Sequence, residues 1–513
     1  MAGKSTDKRQ YGDFQTPVGL ARKVVDVLKR NHRIDPDVII EPTCGKGSFI
    51  IASCEEFKRA DIVGFEINAE YVRETRSSLK NVAAKSRVTV NQGDFFHLDW
   101  KTILSELSGH VLIIGNPPWV TNCELSVLNS QNLPEKSNFQ NRTGIESITG
   151  SANFDVSEWM LLQHVDWLSK REGTIAFLCK YAVARKVLRQ VGLREKRRFF
   201  GHVYPIDAKA YFNVSVEACL FVLTTDFGNA DCEVYDSLDG ARPSHKIGER
   251  DGFIVSNIGY YEKWRHFRGR DPRYIWRSGI KHDCSKIMEL EPLGDGYKNG
   301  FGEIVKCEDD CIYPLLKGSD VGNGRTDCCR KVVLITQKTV GGNTAQIRHV
   351  APNTWKYLVN NRAYLDGRKS AIYKNKPDFS LFGVGSYTFS PWKIAVAGLY
   401  KKLNYHLVGP LNEKAVVFDD TVNFLSFDSE GEARFVFRLI TSDPAREFIE
   451  AMIFWDEKRP ITAAVLRRLS LKEVARELGN LDQYRSWAQE TPPGVVGQMS
   501  LGLAERRSGY KAE

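Results

Sequence analysis

From about Asp13 to Thr225 the chain alternates amphipathic helix and short apolar strand, and this alternation restricts the fold more than any other feature. A helix from Val18 to Lys29 leads into strand Val38-Ile39-Ile40. A helix starting near Ser48, strand Asp61–Phe65, helix Ala69–Lys80 and strand Arg87–Asn91 follow. Next come strand His110–Ile114, helix Val156–Arg171 and strand Thr174–Leu178, and then two strands, His202–Pro205 and Ala218–Thr224, without a long crossover. Helices between strands allow parallel pairing, so the pattern predicts an α/β fold with a mostly parallel sheet covered on both faces. The last two strands are expected as an antiparallel hairpin at the edge.

At 513 residues the chain exceeds one ordinary core. Asp226–Asp251, rich in Gly, Asp, Ser and Pro, reads as a linker. The expected organisation is therefore 1–245 as one domain, 246–490 as a second α+β domain, and 491–513 as a disordered tail. No apolar run is long enough for a bilayer and no signal-peptide pattern is present, so a cytoplasmic protein without membrane partners is expected. A net charge of +9 is compatible with a polyanionic partner without requiring one. The eleven cysteines read as reduced thiols; Cys307, Cys311, Cys328 and Cys329 could in principle hold a metal, but the Cys-x3-Cys spacing is loose and vicinal cysteines are awkward tetrahedral ligands, so plain thiols and no metal are expected.

Two loops carry the chemistry. After the first strand, Glu41-Pro42-Thr43-Cys44-Gly45-Lys46-Gly47-Ser48 is a glycine turn opening a helix, where a ligand can approach the backbone and meet unpaired N–H groups. Glu66 ends the next strand about 20 residues on, placed to accept from ribose hydroxyls, with Ile67 beside it. Asp94-Phe95 follows the third strand, suited to an adenine amino group and ring face. NAD fits these residues less well than a nucleoside without pyrophosphate, because Ile50 stands where a third glycine belongs.

After the fourth strand comes Asn116-Pro117-Pro118-Trp119. The Asn116 side-chain oxygen and the Pro117 carbonyl are two acceptors, and the Trp119 indole is a stacking surface. Together they suit a planar ring bearing an –NH2 group. A proline-stiffened strand exit without chemistry is the plainer alternative.

In order and spacing these motifs resemble the γ-class DNA amino-methyltransferases, the family of the TaqI methyltransferase, found in bacterial type II restriction-modification systems. The resemblance is carried by Phe14-Gln15-Thr16-Pro17, Glu41 to Gly47, Glu66, Asp94-Phe95 and Asn116 to Trp119. It implies a Rossmann-like S-adenosylmethionine-dependent methyltransferase domain and a C-terminal target-recognition domain. It also implies transfer of a methyl group to N6 of a flipped-out adenine in duplex DNA, leaving S-adenosylhomocysteine. By this likeness Thr16, Glu41, Pro42, Thr43, Gly45, Gly47, Glu66, Ile67, Asp94, Phe95 and Asn116 hold the cofactor. Asn116, Pro117 and Trp119 are catalytic, and Trp119 and Phe212 stack on the flipped base. The departures are Trp119 in place of the commoner Tyr or Phe, and Cys44 where a small residue is usual.

The second half is similar more diffusely, through the motifs Tyr313–Asp320, Ile335–Lys338, Ser370–Asn375 and Phe382–Gly385. Lys317, Lys338, Lys374 and Asn375 are the expected DNA contacts. The polar stretch Asn122–Phe154 reads as a flap beside the site. Methylation of N4-cytosine, RNA or protein glutamine, or a non-catalytic DNA-binding subunit, are the alternatives. No nuclease pattern is found, so a cognate endonuclease would be a separate chain and the enzyme a monomer.

Overall fold

A computed structural model of the chain describes residues 14–80, 87–120, 155–169, 171–192, 198–226 and 231–488. The flap expected over Asn122–Phe154 and the tail from Thr491 lie outside the described residues. Contacts group the chain into two compact units, Met1–Lys263 with Glu450–Glu457, and Trp264–Ile449 with Lys458–Glu513.

The first unit is built on a ten-stranded sheet of order β10-β9-β8-β6-β7-β5-β4-β1-β2-β3. Its strands are β1 (Val38–Glu41), β2 (Asp61–Glu66), β3 (Val88–Gln92), β4 (Val111–Gly115), β5 (Gly173–Lys180), β6 (Arg198–Ile206) and β7 (Ala218–Asp226), followed by the short β8 (Cys232–Val234), β9 (His245–Arg250) and β10 (Phe253–Val255). β1 to β5 pair in parallel, and β7 runs antiparallel between β5 and β6. This is a Rossmann-like sheet whose order reverses between β1 and β4, where open α/β sheets place their ligands.

The helices are α1 (Val18–His32), α2 (Ser48–Glu56), α3 (Ala69–Leu79), α4 (Trp100–Ser105), α5 (Val156–Leu168), α6 (Tyr181–Gly192) and α7 (Ala208–Phe212). Successive strand residues face opposite sides. Ile40, Ile113, Ile175 and Phe177 therefore join one core with Met160 and Leu161 of α5 and Val187 of α6. Ile39, Ile62, Leu112 and Leu178 join the other with Leu20, Val24 and Leu28 of α1. The left-handed Arg33 ends α1, its N–H donating to the Lys29 carbonyl.

Two expectations need correction. The β6–β7 hairpin is not at the sheet edge, because β8 pairs with β6 and carries β9 and β10 beyond it. Nor is Asp226–Asp251 simply a linker: Cys232, Val234 and Ile247 are buried, and the polar residues of that stretch mark turns between short strands. The unit holding this sheet extends to Lys263. It also takes in Glu450–Glu457, where Arg185 pairs with Asp456 at 2.5 Å and with Glu457 at 3.1 Å.

The second unit contains a six-stranded sheet and a four-stranded sheet. The first is formed by β12 (Glu289–Leu293), β13 (Gly296–Lys298), β14 (Ile304–Val305), β15 (Ile312–Leu316), β16 (Lys331–Leu334) and β19 (Val417–Phe418). The other is formed by β11 (Arg277–Ser278), β17 (Trp392–Ala397), β18 (Tyr405–Val408) and β20 (Val422–Phe427). No helix among the described residues is long and apolar enough to cross a membrane.

Candidate active site

The carboxyl ends of β1, β2, β3 and β4 bring four loops to one edge of the first sheet. The glycine loop after β1 takes left-handed backbone at Gly45 (φ 52°) and Gly47 (φ 78°). A Cβ at Gly45 would lie 2.7 Å from the Gln15 amide oxygen, and one at Gly47 would run into the Thr75 methyl. Glycine is thus required twice, by conformation and by space. The Thr75 hydroxyl donates to the Gly45 carbonyl at 3.1 Å.

Glu66, at the end of β2, braces this loop. One carboxylate oxygen accepts the Gly45 N–H at 2.8 Å and the other accepts the Asn68 N–H at 2.8 Å. A carboxylate oxygen can accept more than one hydrogen bond, the property a ribose ligand calls for. Ile67 beside it is 39% exposed, leaving an apolar face for a ring. Glu41 lies beneath the loop, buried, and accepts the Ile50 N–H at 3.1 Å near the start of α2. Burial raises its carboxyl well above the ordinary range, against the opposing Ile50 hydrogen bond, and the charge of Glu66 adds to the rise. Pro42 is buried next to it. The Thr43 hydroxyl is buried without a hydrogen-bond partner among the described residues.

Asp94 closes a turn, accepting the Phe96 N–H at 3.0 Å, with the His97 ring nitrogen 2.7 Å from its other oxygen. Phe95, expected on the adenine ring, points into the core. Its ring packs 5.0 Å from Trp100 and 6.1 Å from Trp167, in an apolar cluster that outcompetes an exposed position. Phe96 is the more exposed of the pair and lies 5.4 Å from Trp159, whose indole N–H has no partner among the described residues.

Asn116 follows β4. Its amide nitrogen donates to the Phe14 carbonyl at 3.0 Å, which turns its oxygen the other way. That oxygen is buried and has no hydrogen-bond partner among the described residues. A buried acceptor without a donor costs about 1–3 kcal/mol, a cost that a bound donor would remove. No hydrogen bond is made to the Pro117 carbonyl among the described residues either.

Trp119 is buried and fixed by its indole N–H donating to the Leu178 carbonyl at 3.1 Å. Phe212, ending α7 before the left-handed Asn213, meets the Trp119 ring edge to face at 5.1 Å. Phe14 touches both, at 6.0 Å and 6.4 Å. Because stacked rings sit about 3.5 Å apart, a base between Trp119 and Phe212 requires the two to separate.

Residues 14–16 tie the two loops together. Besides the Phe14 bond to Asn116, the Gln15 side chain accepts the Lys46 N–H at 2.9 Å, and the Thr16 carbonyl accepts the Ser48 hydroxyl at 2.6 Å. Thr16 itself is half-buried between them in sequence. Phe14, Phe96 and Trp159 are additions to the expected site residues. Phe14 is legible in the sequence only as the first letter of its motif, since a carbonyl contact has no residue-type signature.

In the second unit, segments around Lys338 and Lys374 come together. Thr336 donates to the Phe379 carbonyl at 2.8 Å, Gln337 to Leu381 at 3.1 Å and Thr344 to Asp378 at 2.6 Å. Lys338, Lys374, Asn375 and Lys376 are exposed on these stapled loops. Lys317 does not join them. Its ammonium donates to both oxygens of buried Glu289, at 2.7 Å and 3.0 Å, shared with Lys331 at 3.1 Å. Burial pushes Glu289 up, but His282, Lys317 and Lys331 outweigh it and hold the carboxyl at about 2. Lys317 is thus part of an internal ion network. Among the described residues no group of three or more His, Cys, Asp or Glu is arranged to hold a metal.

A type II methyltransferase, M.NspV of a Nostoc species, is 43% identical over 475 residues, covering 91% of this chain and 98% of its own length. The N-6 DNA methylase family matches residues 3–235. The chain belongs to this family of type II DNA methyltransferases. A second type II methyltransferase, M.VspI of a Vibrio species, is 26% identical over 113 residues, or 22% of this chain and 26% of its own. Among solved structures, a type I restriction-modification methyltransferase subunit from Streptococcus thermophilus is 16% identical. It covers 49% of this chain and 52% of that one, with a TM-score of 0.32.

The methyltransferase is adenine-specific and acts on DNA, as its family does. Such enzymes draw their methyl group from S-adenosylmethionine. The glycine cradle, the Glu66 carboxylate beside it, the exposed Ile67 and the Thr43 hydroxyl, partnerless among the described residues, fit an adenosine joined to a charged, polar amino-acid moiety.

Proposed function

We propose that this methyltransferase is of the γ class and methylates N6 of an adenine flipped out of duplex DNA into the space beside Asn116 and Trp119. The observation that carries the reading is the buried, partnerless Asn116 oxygen, oriented by the Phe14 carbonyl. Asn116 and the Pro117 carbonyl accept the two amino hydrogens of adenine and draw its nitrogen lone pair out of conjugation with the ring. Preorganised acceptors of this kind need no reorientation when charge develops. Bound S-adenosylmethionine supplies a sulfonium methyl group as the electrophile. Glu66, Ile67, Thr43 and the Gly45–Gly47 backbone would hold it, with Asp94 and Thr16 as further contacts.

Trp119 and Phe212 part to receive the base and stack on it, offsetting the few kcal/mol of unstacking. Lys338, Lys374 and Asn375, with Lys376, contact the DNA backbone from the second unit, which serves as the target-recognition domain. The enzyme is the modification partner of a separately encoded endonuclease and works as a monomer in the cytoplasm. Asn116→Ala should lower methyl transfer by a hundred- to a thousandfold or more, about the loss seen when one preorganised group is removed. Cofactor affinity, measured by calorimetry, should stay within about threefold, and DNA affinity, measured by filter binding, should fall by no more than the roughly 1–3 kcal/mol of the lost acceptor. Undiminished transfer would remove Asn116 from the reaction.

A further inference from the structure

A cleft of about 460 Å³ opens in the second unit, lined by none of the residues assigned above. Two arginines border it, and they differ. Arg273 is satisfied: it pairs with Glu432 at 2.7 Å, and the Tyr274 hydroxyl donates to the same carboxylate at 2.9 Å. Arg277, on β11, is half-buried and makes no ion pair or hydrogen bond through its guanidinium among the described residues. Its one described contact is the Tyr387 ring, 4.2 Å from the guanidinium carbon to the ring centre. A guanidinium on an open cleft wall with no carboxylate paired to it has its planar set of donors available to a ligand.

The sequence motif Phe382-Gly383-Val384-Gly385, which the function above leaves unused, builds this stack. Gly383 is left-handed (φ 70°), and a Cβ there would lie 2.5 Å from the Gly279 carbonyl, two residues past Arg277. A Cβ at Gly385 would run into the Tyr387 ring. Tyr387 in turn packs 6.2 Å from Phe424, the residue opposite Arg277 in the β11–β20 pair. The glycines therefore let the ring lie under the guanidinium carbon of Arg277, a residue that lines the cleft.

The remaining polar groups choose the ligand. Exposed Asp428 and the hydroxyls of Ser386, Ser390 and Ser426 border the same cleft. Carboxylates on the cleft wall disfavour a bare phosphate, whereas a mixed set of donors and acceptors suits the edge of a heteroaromatic ring. A planar arginine fork held by stacking matches the O6 and N7 acceptors of guanine, the commonest specific arginine contact in the major groove.

We propose that Arg277, seated over the Tyr387 ring, reads a guanine within the recognition sequence. The assignment rests on the DNA-methylation reading above. The test is methylation of a random-sequence duplex library by the full-length enzyme, followed by sequencing of the methylated molecules. Wild-type enzyme should mark one fixed motif, and Arg277→Ala should relax discrimination at a single G·C pair by roughly ten- to a hundredfold. Arg277→Lys should not restore it, because an ammonium cannot donate as a planar fork. An unchanged motif overturns the assignment. So does an unchanged motif with a salt slope reduced by about one, which marks a phosphate contact instead. If Arg277→Ala does not unfold cooperatively, Tyr387→Ala is read in its place; it must relax the same position, and an unaltered motif again overturns the proposal. Wild-type enzyme that marks no DNA would overturn the underlying reading itself, a result distinct from any change between variants.

Discussion

Asn116 and Lys393 show how differently one buried polar residue can be used. The Asn116 amide is half satisfied: the Phe14 carbonyl takes its N–H and fixes which way the oxygen points. The unsatisfied half is a stored binding interaction, available only to a donor that enters the cleft. Lys393 on β17 is 1% exposed, and among the described residues its one side-chain hydrogen bond, to the Ser390 carbonyl at 2.6 Å, brings no opposite charge. Burial lowers its pKa to about 7 from an ordinary 10.5. Between those values the unfolded chain holds a proton that the folded chain does not. Stability should therefore rise as pH increases from about 7, levelling off above the unfolded value, and the full penalty should stand below 7. Denaturant midpoints across roughly pH 7 to 9.5 should climb for wild type and stay nearly flat for Lys393→Met. Equal slopes would mean that the ammonium is charged and hydrated in the fold.

At the scale of elements, the glycine loop and the start of α2 act as one rigid piece braced by Thr75 of α3 and Glu66 of β2. Gly47→Ala meets two separate penalties, about 1–2 kcal/mol for left-handed backbone and the collision with the Thr75 methyl. Cofactor affinity should fall at least tenfold. The double variant Gly47→Ala with Thr75→Ser should recover part of that loss, because serine lacks the colliding methyl while the backbone penalty stays. Calorimetric titration with the cofactor measures both, and a double variant no better than the single one would rule out the steric part. Much of this was legible in the sequence, since strand, glycine turn and helix start are adjacent residues obeying local rules. The insertion of β7 between β5 and β6 was not legible. That choice is made by partners far along the chain, with Cys179 facing Cys219 and Tyr204 facing Leu220. The same limit hid β8 and β9, whose few buried residues are scattered among turn formers. It also left Phe95 and Phe96 indistinguishable until the tryptophans around Phe95 decided which ring turned inward.

For the whole molecule, the net charge of +9 is less informative than where unpaired cations stand. Lys317 looks like a DNA contact by its motif, but its partner Glu289 lies on another strand and could not be read from spacing. Lys338, Lys374 and Lys376 are exposed on loops stapled to one another. Replacing these three with alanine should reduce the salt dependence of DNA binding by roughly one log–log slope unit for each phosphate no longer neutralised. Lys317→Ala should leave that slope unchanged and instead lower stability to unfolding, by about 1–3 kcal/mol for a buried carboxylate deprived of one donor. A slope that drops with Lys317 and not with the loop lysines would reverse the assignment.

In the proposed reaction the Asn116 cradle presents an adenine amino group for methylation. The most direct test is transfer of label from methyl-labelled S-adenosylmethionine to mixed-sequence duplex DNA, followed by digestion and nucleoside analysis. The label should appear as N6-methyladenine. Label in N4-methylcytosine, or in RNA or protein with none in DNA, would contradict the account.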